Sequence, residues 1–148
     1  MYEHILIPYD GSDEARKGAE HAVELAAAVG ATVHALYVID LPGAPRTVYV
    51  RDDEEELRQE YSQYGEEVTG ELAGMANERG LEAVTAIKSG AVHEEIADYA
   101  SENEIDLVVM GTAYRGTIRG LIGSTTEKVV RSSEVPVTTV RQLVDEHD

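Results

Sequence analysis

Residues 4–39 read HILIPYDGSDEARKGAEHAVELAAAVGATVHALYVI, and this stretch decides the fold. HILIPY (4–9) and ATVHALYVI (31–39) are short apolar runs rich in β-formers, as strands require. Between them Ala15, Ala19, Ala22, Ala26 and Val29 recur at helical spacing. The reading is strand, helix, strand.

The same alternation continues outward. Leu57, Tyr61, Tyr64, Val68, Leu72 and Met75 recur at intervals of three or four, with Arg79-Gly80 as a stop signal. This predicts a second helix, with Tyr61 and Tyr64 in the core. The acidic run Asp52–Glu56 opens that helix, where negative charge favours the dipole. A strand follows near Glu82–Lys88, then a helix over about Val92–Asn103, then Asp106-Leu-Val-Val-Met110. That last run is apolar after its first residue, which suits a strand covered on both faces. A helix over about Ser124–Arg131 and a strand over Val135–Val140 complete the set, Pro136 fitting an edge position. The expected architecture is an α/β, doubly wound, five-stranded parallel sheet with helices on both faces, in a single domain over 1–148. The one long connection, residues 40–53, carries Pro42, Gly43 and Pro45, and loops of that length tend to be functional or mobile.

Composition narrows the function. The 148 residues hold 29 Asp+Glu against 12 Lys+Arg, a net charge of −17, and no cysteine. Thiolate metal sites, disulfides and cysteine nucleophiles are excluded. Nucleic acid and anionic membranes are poor partners, because neutralising phosphates takes a basic face. Excess acid of this size is a device halophiles use, and it predicts a protein of a high-salt cytoplasm, a halophilic archaeon being the expected source. An acidic protein from any bacterium or archaeon is the alternative. Met1-Tyr2-Glu3-His4 lacks the pattern of a secretory segment, so the expected location is cytoplasmic.

In open α/β sheets, ligands sit beyond the carboxyl ends of the strands where strand order reverses. Two loops qualify. In Pro8-Tyr9-Asp10-Gly11-Ser12, Ser12 is expected to cap the following helix. Asp10 either accepts hydrogen bonds from a sugar diol or bonds its own backbone as a turn residue. The second loop runs from Met110-Gly111 through Tyr114, Gly116 and Gly120 to Gly123-Ser124-Thr125-Thr126-Glu127. It holds four of the chain's thirteen glycines, and residues 111–131 carry a net +3 in a chain otherwise at −20. Backbone N–H groups and a helix N-terminus there would make an anion site. Ser124-x-x-Glu127 is also a capping box, which needs no ligand.

Gly111 and Gly116 have Walker A spacing, but Thr117 and Ile118 replace its Lys and Ser/Thr. No G-x-G-x-x-G follows the first strand. The histidines at 4, 21, 34, 93 and 147 show no metal spacing and are read as structural or solvated. No catalytic constellation is found, so an enzyme is not favoured.

Taken together, His4-Ile-Leu-Ile-Pro-Tyr-Asp10-Gly-Ser12, Tyr37-Val38-Ile-Asp40, Ile105-Asp-Leu-Val-Val-Met-Gly111-Thr, Gly123-Ser-Thr-Thr-Glu-Lys-Val-Val-Arg131 and Val135-Pro-Val137 resemble the universal stress protein family along the whole chain. The resemblance implies an adenine nucleotide alpha hydrolase-like fold, a homodimer joined along the C-terminal edge strand, and a stress-response role. In the family's ATP-binding branch the loop is written G-x-x-G, nine residues, G-[ST]. By similarity Asp10 would hold ribose, Pro8 and Val38 would border adenine, and Gly111, Gly123, Ser124 and Thr125 would surround the phosphates of ATP, with Mg²⁺ or Mn²⁺. Met110 stands next to this set. Two departures stand out: Tyr114 replaces the second glycine, and eight residues separate it from Gly123. Gly116 is the residue able to take that role in a shortened loop. The resemblance therefore leaves two functions open, a nucleotide-occupied switch and a nucleotide-free interaction protein of the same fold.

Overall fold

The computed structural model describes residues 2–40, 52–114 and 124–143. In chain order the elements are β1 (His4–Pro8), α1 (Asp13–Val29), β2 (Thr32–Ile39), α2 (Asp52–Glu78), β3 (Ala83–Ser89), α3 (Val92–Glu102), β4 (Leu107–Tyr114), α4 (Ser124–Ser132) and β5 (Val137–Leu143). The strands form one sheet of order β3-β2-β1-β4-β5, every pair parallel. β1 is central, which explains why Ile5, Leu6 and Ile7 are apolar in succession and at most 1% exposed: both faces of that strand are covered.

Strand alternation sorts the core into two layers. Odd positions (Ile5, Ile7, Val33, Ala35, Leu107, Val109) pack under α1 and α2 with Ala19, Ala22, Leu72 and Ala76. Even positions (Leu6, Leu36, Val108, Met110) pack under α3 and α4 with Ile96, Tyr99 and Val129. The small-residue face of α1 lets it lie close to β4. A Cβ on Gly18 would come within 2.5 Å of the Gly111 nitrogen, and one on Gly111 would fall onto the Glu14 carbonyl.

α1 begins as expected, with Ser12 as N-cap and its hydroxyl accepting from Ala15 N at 3.2 Å. α2 begins at Asp52, inside the acidic run. The expected placement of Tyr61 and Tyr64 in the core is corrected: they are 38% and 41% exposed. The first turns of α2 present their apolar stripe at the carboxyl edge of the sheet instead of over it.

β4 also differs from expectation. It runs past Met110 to Tyr114, Gly111 to Tyr114 pairing with Val140 to Leu143, so the ladder to β5 satisfies backbone that the glycine pattern assigns to a loop. The Pro136 carbonyl accepts from Val108 N at 3.0 Å just before the edge strand β5, a place where its missing N–H costs nothing. The expected long connection lies outside the described residues except at its two ends. Among the described residues no helix is long and apolar enough to cross a membrane.

Candidate functional site

Strand order reverses between β1 and β4, and in open α/β sheets ligands sit beyond the carboxyl ends of the strands at such a point. Pro8 ends β1, Val38 lies near the end of β2, and Met110 is in β4. By alternation all three face the α3/α4 side: Met110 is buried there, and Val38 is half-buried against the same cluster. Three of the residues expected to border a ligand are thus gathered at one end of one face.

Asp10 is exposed at the head of the turn that follows. Its Oδ1 accepts from Ser12 N at 2.9 Å, so the turn-residue reading is realised. Its second oxygen makes no hydrogen bond among the described residues. The turn is pinned on both sides: Tyr9 N donates to the Leu36 carbonyl at 2.8 Å, and Tyr64 Oη donates to the Asp10 carbonyl at 2.7 Å. Gly11 sits at φ +80, and a Cβ there would meet Tyr64 Oη at 2.6 Å and Val68 Cγ1 at 2.9 Å. Glycine is required both for the left-handed backbone and for the approach of α2.

One turn further along α2, Glu71 Oε1 accepts from Tyr9 Oη at 3.0 Å and from Arg16 Nη2 at 2.9 Å. Burial is the largest influence on the Tyr9 phenol and raises its pKa, which keeps it a neutral donor. Tyr64 and Glu71 are the residues sequence reading missed. Their only signal is the spacing Tyr64, Val68, Leu72, which marks a helix face without saying what that face meets.

Ser124 and Thr125 are the first residues of α4 and are exposed. A helix joining parallel strands runs back along the sheet, so this N-terminus opens at the carboxyl ends, with first-turn N–H groups directed outward. Glu127 of the expected capping box pairs its carboxylate with Arg131 at 2.7 Å. Gly116 and Gly123 lie outside the described residues, as do Arg115 and Arg119. Gly111 is in β4, its Cβ side taken by the α1 backbone.

At the amino ends of the strands the β1/β2 register brings together two histidines thirty positions apart. His4 Nδ1 lies 3.0 Å from His34 Nε2, and His34 Nδ1 2.7 Å from Tyr99 Oη. Burial, with a further push from His4, lowers the His34 pKa from 6.5 to about 4, so the buried ring is neutral and bonded, as a structural histidine should be. Asp106 Oδ2 accepts from the Glu3 and His4 nitrogens at 2.7 and 2.9 Å, and these bonds lower its pKa. No group of three His, Cys, Asp or Glu able to hold a metal occurs among the described residues.

A five-stranded parallel sheet with helices on both faces and a reversal of strand order between β1 and β4 defines a doubly wound α/β protein. The chain belongs to the universal stress protein family, whose model matches residues 1–141. It is 34% identical to Universal stress protein MJ0531 of Methanocaldococcus jannaschii over 96% of this chain and 84% of the relative. The solved structure of protein MJ0577 of the same organism superposes at TM-score 0.80, with 26% identity, covering 96% of this chain and 97% of that one. A universal stress protein from Arabidopsis thaliana, solved with AMP bound, shares the fold at TM-score 0.70 and 18% identity, covering 99% and 95%.

Proposed function

We propose that the protein binds an adenine nucleotide, ATP with Mg²⁺ or Mn²⁺, in the crevice at the ends of β1, β2 and β4, and acts in the stress response as an occupancy switch. The observation that carries this is Asp10, exposed two residues past Pro8 at the carboxyl end of β1, whose second carboxylate oxygen makes no hydrogen bond among the described residues. Asp10 is the ribose acceptor, Pro8, Val38 and Met110 border the base, and the first turn of α4 at Ser124 and Thr125 with Gly111, Gly116 and Gly123 receives the phosphates. That a relative of this fold holds AMP supports a nucleotide of this size. A ligand that binds one state stabilises it by mass action, so signalling needs no chemistry. The protein works as a cytoplasmic homodimer joined along the edge of β5.

The test is calorimetric titration of nucleotide-free protein with ATP and Mg²⁺. Saturable binding is expected, weakened about ten- to a hundredfold by Asp10→Ala, as loss of hydrogen bonds to a charged group implies. Unchanged affinity in that variant would remove Asp10 from the site.

One observation favours a second reading, the nucleotide-free interaction protein. β4 stays in the ladder through Tyr114, where the family's ATP-binding loop has glycine. Protein purified in concentrated KCl, free of nucleotide and failing to bind any, would establish it.

A further inference from the structure

From one face of α2, Tyr64, Val68 and Glu71 close over the β1–α1 turn. Tyr64 Oη holds the Asp10 carbonyl, Val68 Cγ1 lies against Gly11, and Glu71 holds Tyr9 before the turn and Arg16 after it. These positions are spaced as one helix face. The stem of this clamp is firm: Tyr9 is 2% exposed, and the Tyr64 ring stands edge-on to Tyr37 with centroids 5.6 Å apart. The turn itself is not firm by its own chemistry. Gly11 at φ +80 adopts many backbone conformations with little penalty, and Asp10 is exposed.

We propose that Tyr64 is the positioning residue of the ligand turn, fixing the Asp10 peptide so that one carboxylate oxygen stays on Ser12 N while the other is presented to a ribose diol. This rests on the nucleotide reading of the site and extends it to a residue of a different element. The hydroxyl of Tyr64 points out of the core to a loop carbonyl, and the ring that carries it is 41% exposed, so its bond orders the turn more than it adds to the core. Without it the turn samples alternatives, and a ligand needing one of them meets a smaller competent fraction.

The experiment uses Tyr64→Phe, which keeps the ring and its contact with Tyr37. Amide hydrogen exchange at Ser12 in the ligand-free protein is expected to quicken. ATP affinity is expected to fall about three- to tenfold, the scale of one hydrogen bond. The preference for ATP over 2′-deoxy-ATP is expected to shrink, and in an Asp10→Asn background Tyr64→Phe is expected to shrink it no further, because both variants act on one contact. A merely structural role would not alter discrimination between two ligands differing at one hydroxyl. Full retention of that preference, or unchanged Ser12 exchange, overturns the inference while the site stands. Wild-type protein that binds no nucleotide overturns both, and is a separate result.

Discussion

Gly111 shows how little space one residue can have. Its Cα lies against the first turn of α1, and a methyl group there would overlap the Glu14 carbonyl. Gly111→Ala must push helix and strand apart, an overpacking cost of about 1–3 kcal/mol. Thermal unfolding is expected at a lower temperature, by about 2–4 °C per kcal/mol in a chain of this size; an unchanged midpoint would show that α1 yields freely. Loss of ligand binding in such a variant therefore does not diagnose a phosphate contact. His34 supplies a second residue-scale expectation. Its folded pKa of about 4 lies below the unfolded 6.5, so the unfolded chain binds more protons between these values. By linkage, stability is full above pH 6.5 and declines as pH falls toward 4. Asp106, with its pKa lowered by the Glu3 and His4 amides, adds a loss only below its ordinary 3.8. Denaturant titrations across pH 4–7 should show the decline, and His34→Gln should flatten it; an equal slope in both proteins would place the acid sensitivity elsewhere.

At the scale of elements, β5 carries the most specific expectation. Because the Pro136 carbonyl faces β4, alternation turns Thr138 and Val140 toward β4 and leaves the N–H groups of Val137 and Thr139 on the outer edge. Thr139→Pro removes one outward donor and spares the β4 ladder. If two copies pair along this edge, the variant should sediment as a monomer with nearly native thermal stability, whereas wild type sediments as a dimer. A variant as dimeric as wild type would put the contact on another surface. The same elements show what the sequence can convey. The β1–α1–β2 unit, the Ser12 cap and the start of α2 in its acid run were legible because each is written in local periodicity and capping chemistry. The extension of β4 to Tyr114 was not: its glycine pattern reads as loop, and only the partner strand makes it a ladder. The exposure of Tyr61 and Tyr64 depends on how far α2 overhangs the sheet. The His4–His34 pair depends on register between strands, and the Glu127–Arg131 pair on side chains meeting one helical turn apart. Within the site, Asp10 was legible as a loop acceptor, but Tyr64, which holds it, was not.

For the whole molecule the governing quantity is the net charge of −17. Two forces respond oppositely to salt. The surface pairs Arg16–Glu71 and Glu127–Arg131 weaken as ions screen them, but each contributes at most about 1 kcal/mol. Repulsion among the surplus acids acts over many pairs and is screened by the same ions, the Debye length falling from about 10 Å at 0.1 M to about 3 Å at 1 M. Because the surplus outnumbers the pairs, repulsion decides the sign: the unfolding temperature should rise with KCl between 0.1 and 2 M. Salt also strengthens apolar burial to some degree, so a charge variant separates the two causes. Replacing the exposed Glu55, Glu56, Glu60, Glu66 and Glu67 of α2 by Gln takes the net charge from −17 to −12 without touching the core. That variant should be the more stable protein at 0.1 M KCl and should gain less from added salt. If both proteins gain equally, the salt effect is one of apolar burial. If wild type loses stability as KCl rises, the ion pairs outweigh the repulsion, and the acidic surface is no adaptation to a saline cytoplasm.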